Sequence, residues 1–77
     1  MFPNPIQNEL NIEFDNYYES PFSLSIYNNL GQKVYEDNYI LNNNIKVEVN
    51  NFSVGSYYFQ ISNSKQIIVT DKFIILK

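Results

Sequence analysis

The apolar positions of this chain alternate with polar ones. Glu9-Leu10-Asn11-Ile12-Glu13-Phe14-Asp15 puts Leu10, Ile12 and Phe14 on one side, the period of a strand with one buried face and one wet face. Residues 16–21 break the pattern, and Phe22-Ser23-Leu24-Ser25-Ile26 resumes it. Asn28-Asn29-Leu30-Gly31 reads as a turn whose glycine takes the left-handed conformation that closes a hairpin. Residues 32–39 are predicted to return antiparallel, with Val34 facing inward. After a loop at Asn42-Asn43-Asn44, Ile45, Val47 and Val49 alternate with Lys46 and Glu48 as a fourth strand.

Residues 50–55 form a longer bend with Phe52 as a plug for the core, and residues 56–62 gather Tyr57, Phe59 and Ile61 on one side of a fifth strand. Asn63-Ser64-Lys65 turns the chain into residues 66–77, a stretch long for one strand, with an interruption predicted at the polar Thr70-Asp71. No segment holds a helical period. About seven short strands with a turn signal roughly every eight to twelve residues predict an all-β fold, a small antiparallel β-sandwich of Ig-like or Greek-key style.

Composition narrows the function more than the fold. The 77 residues make one domain, and 44% hydrophobic content with 17% aromatic is enough for one core. Cysteine and histidine are absent, so neither disulfides nor the usual transition-metal ligands supplement the packing. All five basic residues are lysine and the net charge is −3, so no basic stripe exists to neutralise phosphates and no nucleic-acid partner is expected. The longest apolar run, Phe73-Ile74-Ile75-Leu76, is far below the ~18 residues of a membrane-spanning helix. The start of the chain has no basic, then apolar, export-signal pattern.

Candidate chemistry is sparse. Without histidine or cysteine, catalysis would need a carboxylate pair or a serine–lysine dyad. Glu9 and Glu13 share a strand face but stand about 13 Å apart, and Ser64-Lys65 sits in a turn with nothing to lower the lysine pKa. Asp15, Glu36 and Asp37 match no calcium-liganding loop. No enzyme activity, metal or cofactor is expected. Tyr18, Tyr27, Tyr35 and Tyr58 alternate against apolar neighbours. They fit either an outer face that stacks on sugars or proteins, or a rim that covers the edge of a small core.

Four motifs go further than composition. Phe2-Pro3-Asn4-Pro5, followed by Asn8-Glu9-Leu10-Asn11-Ile12, resembles the opening of the type A C-terminal sorting domain of the type IX secretion system of Bacteroidetes. Ile26-Tyr27-Asn28-Asn29-Leu30-Gly31-Gln32-Lys33-Val34 is similar to that family's central hairpin. Gly55-Ser56-Tyr57 resembles its Gly-x-Tyr strand, and Lys72-Phe73-Ile74-Ile75-Leu76-Lys77 its terminal segment. The blocks stand in order and span the chain. Phe2 replaces a common tyrosine and Phe52 a usual leucine, both keeping an apolar side chain.

The resemblance implies a seven-stranded, non-catalytic sandwich at the C-terminus of a larger secreted protein. It also implies that the passenger crosses the inner membrane by its own N-terminal signal. The folded domain is then read by the outer-membrane translocon, and a sortase cleaves before it. The passenger goes to the cell surface or the medium. The whole chain, residues 1–77, is then one sorting domain excised from that protein, with Met1 as an added start. Recognition is expected on the last strand. If Phe73 and Ile75 point inward, Ile74 and Leu76 point out between Lys72 and Lys77, on an edge suited to strand addition. Gly31 and Gly55 are expected to serve the fold, each at a positive φ. An adhesion or carbohydrate-binding sandwich and a spacer without a partner remain as competing readings.

Overall fold

A computed structural model describes residues 8–14 and 18–76. Its strands fall where the alternation is cleanest: β1 (Glu9–Glu13), β2 (Phe22–Asn28), β3 (Lys33–Ile40), β4 (Asn44–Glu48), β5 (Gly55–Ser62) and β6 (Ile67–Ile75). β1 pairs with β4 in one antiparallel sheet, and a second antiparallel sheet has the order β3-β2-β5-β6. Two hairpins, β2–β3 and β5–β6, therefore meet along β2 and β5, while β1 and β4 lie in the opposite layer.

The inward positions of both layers form one apolar cluster. Leu10 and Ile12 from β1, with Ile45 and Val47 from β4 and Val49 just after it, meet Phe22, Leu24, Ile26, Tyr57, Phe59, Ile61, Phe73 and Ile75. None of these is more than 8% exposed, and no polar side chain is buried among the described residues. Phe14 continues the face predicted for β1, with its ring edge-on to Phe22 at 4.8 Å. Phe52 packs against the cluster from the loop before β5, as the plug reading expects. The small antiparallel sandwich is thus realised.

Two details differ from expectation, each for a physical reason. Six strands are present among the described residues rather than about seven, because Thr70-Asp71 does not interrupt β6. Pairing to β5 runs in register from Val69 through Ile75. Asp71 stands opposite Phe59, hence on the core side, but is exposed to water. Polarity there goes with exposure to water, not with a break in the strand.

Val34 is 42% exposed rather than inward. Tyr27 pairs with Lys33 and Ile26 with Tyr35, so Val34 is the extra residue of a bulge and Tyr35 takes the core-side place. Burial, and after it the charge of Asp37, push the Tyr35 phenol above its ordinary pKa of 10.0.

The β2–β3 hairpin explains the spacing of its motif. Asn28 N–H donates to the Gln32 carbonyl at 3.0 Å and Gly31 N–H to the Asn28 carbonyl at 3.0 Å, a three-residue loop closed by glycine at φ 82°. The Asn28 side chain ties the loop from within. Its Oδ1 accepts from Leu30 N–H (2.9 Å) and Gln32 N–H (3.0 Å), and its Nδ2 donates to Gln32 Oε1 (2.9 Å). Asparagine at the first position and Gly-Gln at the fourth and fifth are thus one device.

No atom would lie within 4 Å of a Cβ at Gly31, so substitution there costs only backbone strain. Gly31→Ala is expected to lose about 1 kcal/mol or somewhat more in denaturant unfolding, with the m-value unchanged. Asn28→Ala is expected to lose about 1 kcal/mol, whereas Asn29→Ala should stay within ~0.5 kcal/mol of the parent in the same measurement. Equal effects of the two asparagine changes would contradict the role given to Asn28.

Candidate functional site

The motif residues divide into those that build the fold and those that it displays. Leu10 and Ile12 are core, and Asn8 closes the small sheet through its carbonyl, which accepts from Val49 N–H at 2.9 Å. Gly55 has φ 152°, a value that L side chains rarely adopt, and it starts β5. Two residues on, Tyr57 is buried and its hydroxyl donates back to the Ser53 carbonyl at 2.7 Å. Its ring stacks on Phe73 at 5.5 Å and 16° and lies 5.5 Å from Phe52. The Gly-x-Tyr spacing therefore fastens the loop, the strand and β6 together. Pro3, Asn4, Pro5 and Lys77 lie outside the described residues, as do Phe2 and Asp15.

The last strand sorts its side chains as its alternation requires. Phe73 and Ile75 are buried in the core, while Ile74 is 39% and Leu76 46% exposed. Lys72 faces the same way as Ile74, two positions earlier. β6 stands at the end of the strand order β3-β2-β5-β6. Its Asp71 carboxylate accepts from Lys72 N–H at 2.8 Å.

On the outer face of the same sheet the register aligns a row that the sequence did not reveal. Lys33 of β3 pairs with Tyr27 of β2, Tyr27 with Tyr58 of β5, and Tyr58 with Lys72 of β6. The tyrosine rings stack at 5.1 Å and 18°, and Lys33 Nζ lies 6.0 Å from the Tyr27 centroid while bonding Glu36 Oε2 at 3.0 Å. That bond is the main cause that raises the Lys33 pKa above 10.5. Tyr18 and Tyr35 instead pack against the core, so the rim reading holds for these two, while Tyr27 and Tyr58 lie on the outer face. The signal for the row was present only as tyrosines on two distant strands.

The other candidates have structural partners. Lys65 Nζ reaches Glu19 Oε1 at 2.9 Å, tying the β5–β6 turn to the segment before β2, and Asn63 Oδ1 caps that turn through Lys65 and Gln66 N–H. Asp37 Oδ1 accepts from Tyr39 N–H at 3.1 Å. Among the described residues no cluster of three carboxylates is arranged to hold a metal ion, and no helix is long and apolar enough to cross a membrane. A shallow depression of about 450 Å³ between the β2–β3 hairpin and the loop before β5 is lined by Asn28, Val34, Phe52, Val54 and Tyr57. Ser53 and Ser56 also line it, and no carboxylate or lysine stands among the lining residues beside their hydroxyls.

No curated protein and no solved structure matches the chain. One family model does, described as the secretion system C-terminal sorting domain, and it covers residues 1–76. With that match over essentially its whole length, the chain belongs to the C-terminal sorting domain family of the type IX secretion system, a non-catalytic family of export signals whose members go to the cell surface or beyond through that machinery.

Proposed function

We propose that this chain is the address label at the C-terminus of a larger passenger protein, read in its folded state by the outer-membrane translocon. The passenger reaches the periplasm by its own N-terminal signal. A sortase component then removes the label at its N-terminal side, near Phe2-Pro3-Asn4-Pro5. The observation that carries this reading is the family match over residues 1–76. The local support for a reading surface on β6 is its sorting of side chains, with Phe73 and Ile75 inside and Lys72, Ile74 and Leu76 displayed.

Exposed apolar side chains on a terminal strand are normally guarded, because they invite association. Here Ile74 and Leu76 remain displayed beside Lys72, which suits a surface kept for a partner. A sugar-binding role finds less support. Tyr27 has one ring face against Tyr58 and Lys33 Nζ 6.0 Å from its centroid, so of this pair only the side of Tyr58 towards Lys72 is left for a pyranose to stack on.

The structure also decides how this should be tested. Removing residues 72–77 would strip Phe73 and Ile75 from the core, at about 3–5 and 2–5 kcal/mol, and the label would unfold. Substituting only the displayed side chains separates reading from folding. A reporter protein bearing an N-terminal export signal and this chain at its C-terminus is expected to appear in the medium or on the surface of a type IX host. An Ile74→Ser, Leu76→Ser variant is expected to keep a cooperative thermal transition and accumulate in the periplasm. Export at the parental level would remove β6 as the recognition surface.

A further inference from the structure

The row across the outer face of the four-stranded sheet has no role in the core and ends on β6. Lys33, Tyr27, Tyr58 and Lys72 come from four successive strands of the sheet order. At about 4.8 Å per strand, the row spans roughly 14 Å, the breadth of a small contact patch. Rings stacked side by side from neighbouring strands stand upright, so they offer solvent their edges and hydroxyls. Tyrosines presented in this way are common anchors of protein interfaces, where an apolar body and a polar tip are both used. Ile74 adjoins the row, opposite Ser56 in the next register position.

Charge says what kind of partner fits. The outer face of this sheet has Lys33, Lys72 and one carboxylate, Glu36, and that carboxylate is bonded to Lys33. The outer face of the other sheet has Glu9, Glu13 and Glu48 against Lys46 alone, with Glu9 directly opposite Glu48. In a chain of net charge −3, the outer face on the side of β6 is therefore the lysine-led one of the two sheet faces. Such asymmetry orients an acidic partner towards this face during approach.

We infer that the Lys33–Tyr27–Tyr58–Lys72 row extends the β6 recognition surface, and that its occupant is a protein of the type IX outer-membrane machinery presenting carboxylates beside an apolar seat. This rests on the sorting function proposed above. It adds β2, β3 and β5 to the surface, and gives the central hairpin a second duty, that of holding Lys33 beside Tyr27.

The Lys33–Glu36 contact provides the test, because two substitutions break the same bond with opposite effects on charge. In the reporter fusion, Lys33→Gln is expected to lower export about three- to tenfold, and Glu36→Gln to leave it unchanged or raise it. Tyr58→Thr, which keeps a good strand former, is expected to lower export about tenfold. Thermal unfolding of each purified variant reports on folding; should Tyr58→Thr unfold, the Lys33 and Glu36 variants decide alone.

Equal losses from Lys33→Gln and Glu36→Gln would mean that the contact acts only on the fold, and would overturn the inference. So would parental export of Lys33→Gln and Tyr58→Thr while Ile74→Ser, Leu76→Ser is blocked, an outcome that leaves the sorting function standing. Failure of the parental fusion to be exported would take down both. Row-dependent binding of the purified chain to vesicles of anionic phospholipid would name a membrane surface as the occupant, and would likewise overturn a protein partner.

Discussion

The pairing of β2 with β5 is the constraint on which the rest of the structure depends. Six successive pairs, from Ser23 with Ser62 to Asn28 with Tyr57, run without a shift. The strands are not consecutive, so the chain must pass through the opposite sheet before this ladder can close. The entropy of closing that loop is offset by what the ladder aligns: Leu24 with Ile61 and Ile26 with Phe59 inside, Tyr27 with Tyr58 outside. A slip of one residue would set the apolar face of one strand beside the polar face of the other. The core and the outer row are thus consequences of a single register.

Strands were legible in the sequence wherever apolar and polar residues contrast sharply, as in Leu10 and Ile12 or in Tyr57, Phe59 and Ile61. The hairpin at Asn28 and Gly31 was legible because a positive φ leaves a compositional trace. Val34 was misread because a bulge changes which residues face inward without any mark in the alternation. Thr70-Asp71 does not break the strand: polarity shows only that water reaches a position, and exposed residues can stand within a continuous strand. The displayed Ile74 and Leu76 were foreseen from parity alone. The tyrosine–lysine row was not, since it depends on register between strands that no local pattern connects.

The two outer strands of the larger sheet are built differently. β3 is shifted twice against β2 and bears Asp37 on its core side, devices that discourage a further strand from joining. β6 is shifted once, where Ile68 is the extra residue, and then runs regularly from Val69 to Ile75. The regular half coincides with the segment that the family resemblance singles out. Irregularity is thus concentrated along the β3 edge of the sheet, and regularity in the C-terminal half of β6.

A strand that displays Ile74 and Leu76 while burying Phe73 and Ile75 is greasy on both sides. At this end of the strand, hydrophobicity alone therefore separates the two faces only weakly. What distinguishes them is shape: the Phe73 ring fits flat against Tyr57, and Ile75 stands opposite Gly55, where there is no side chain to displace it. Aromatic packing, rather than the inside-out contrast that governs the other strands, is what tells this strand which way up it is.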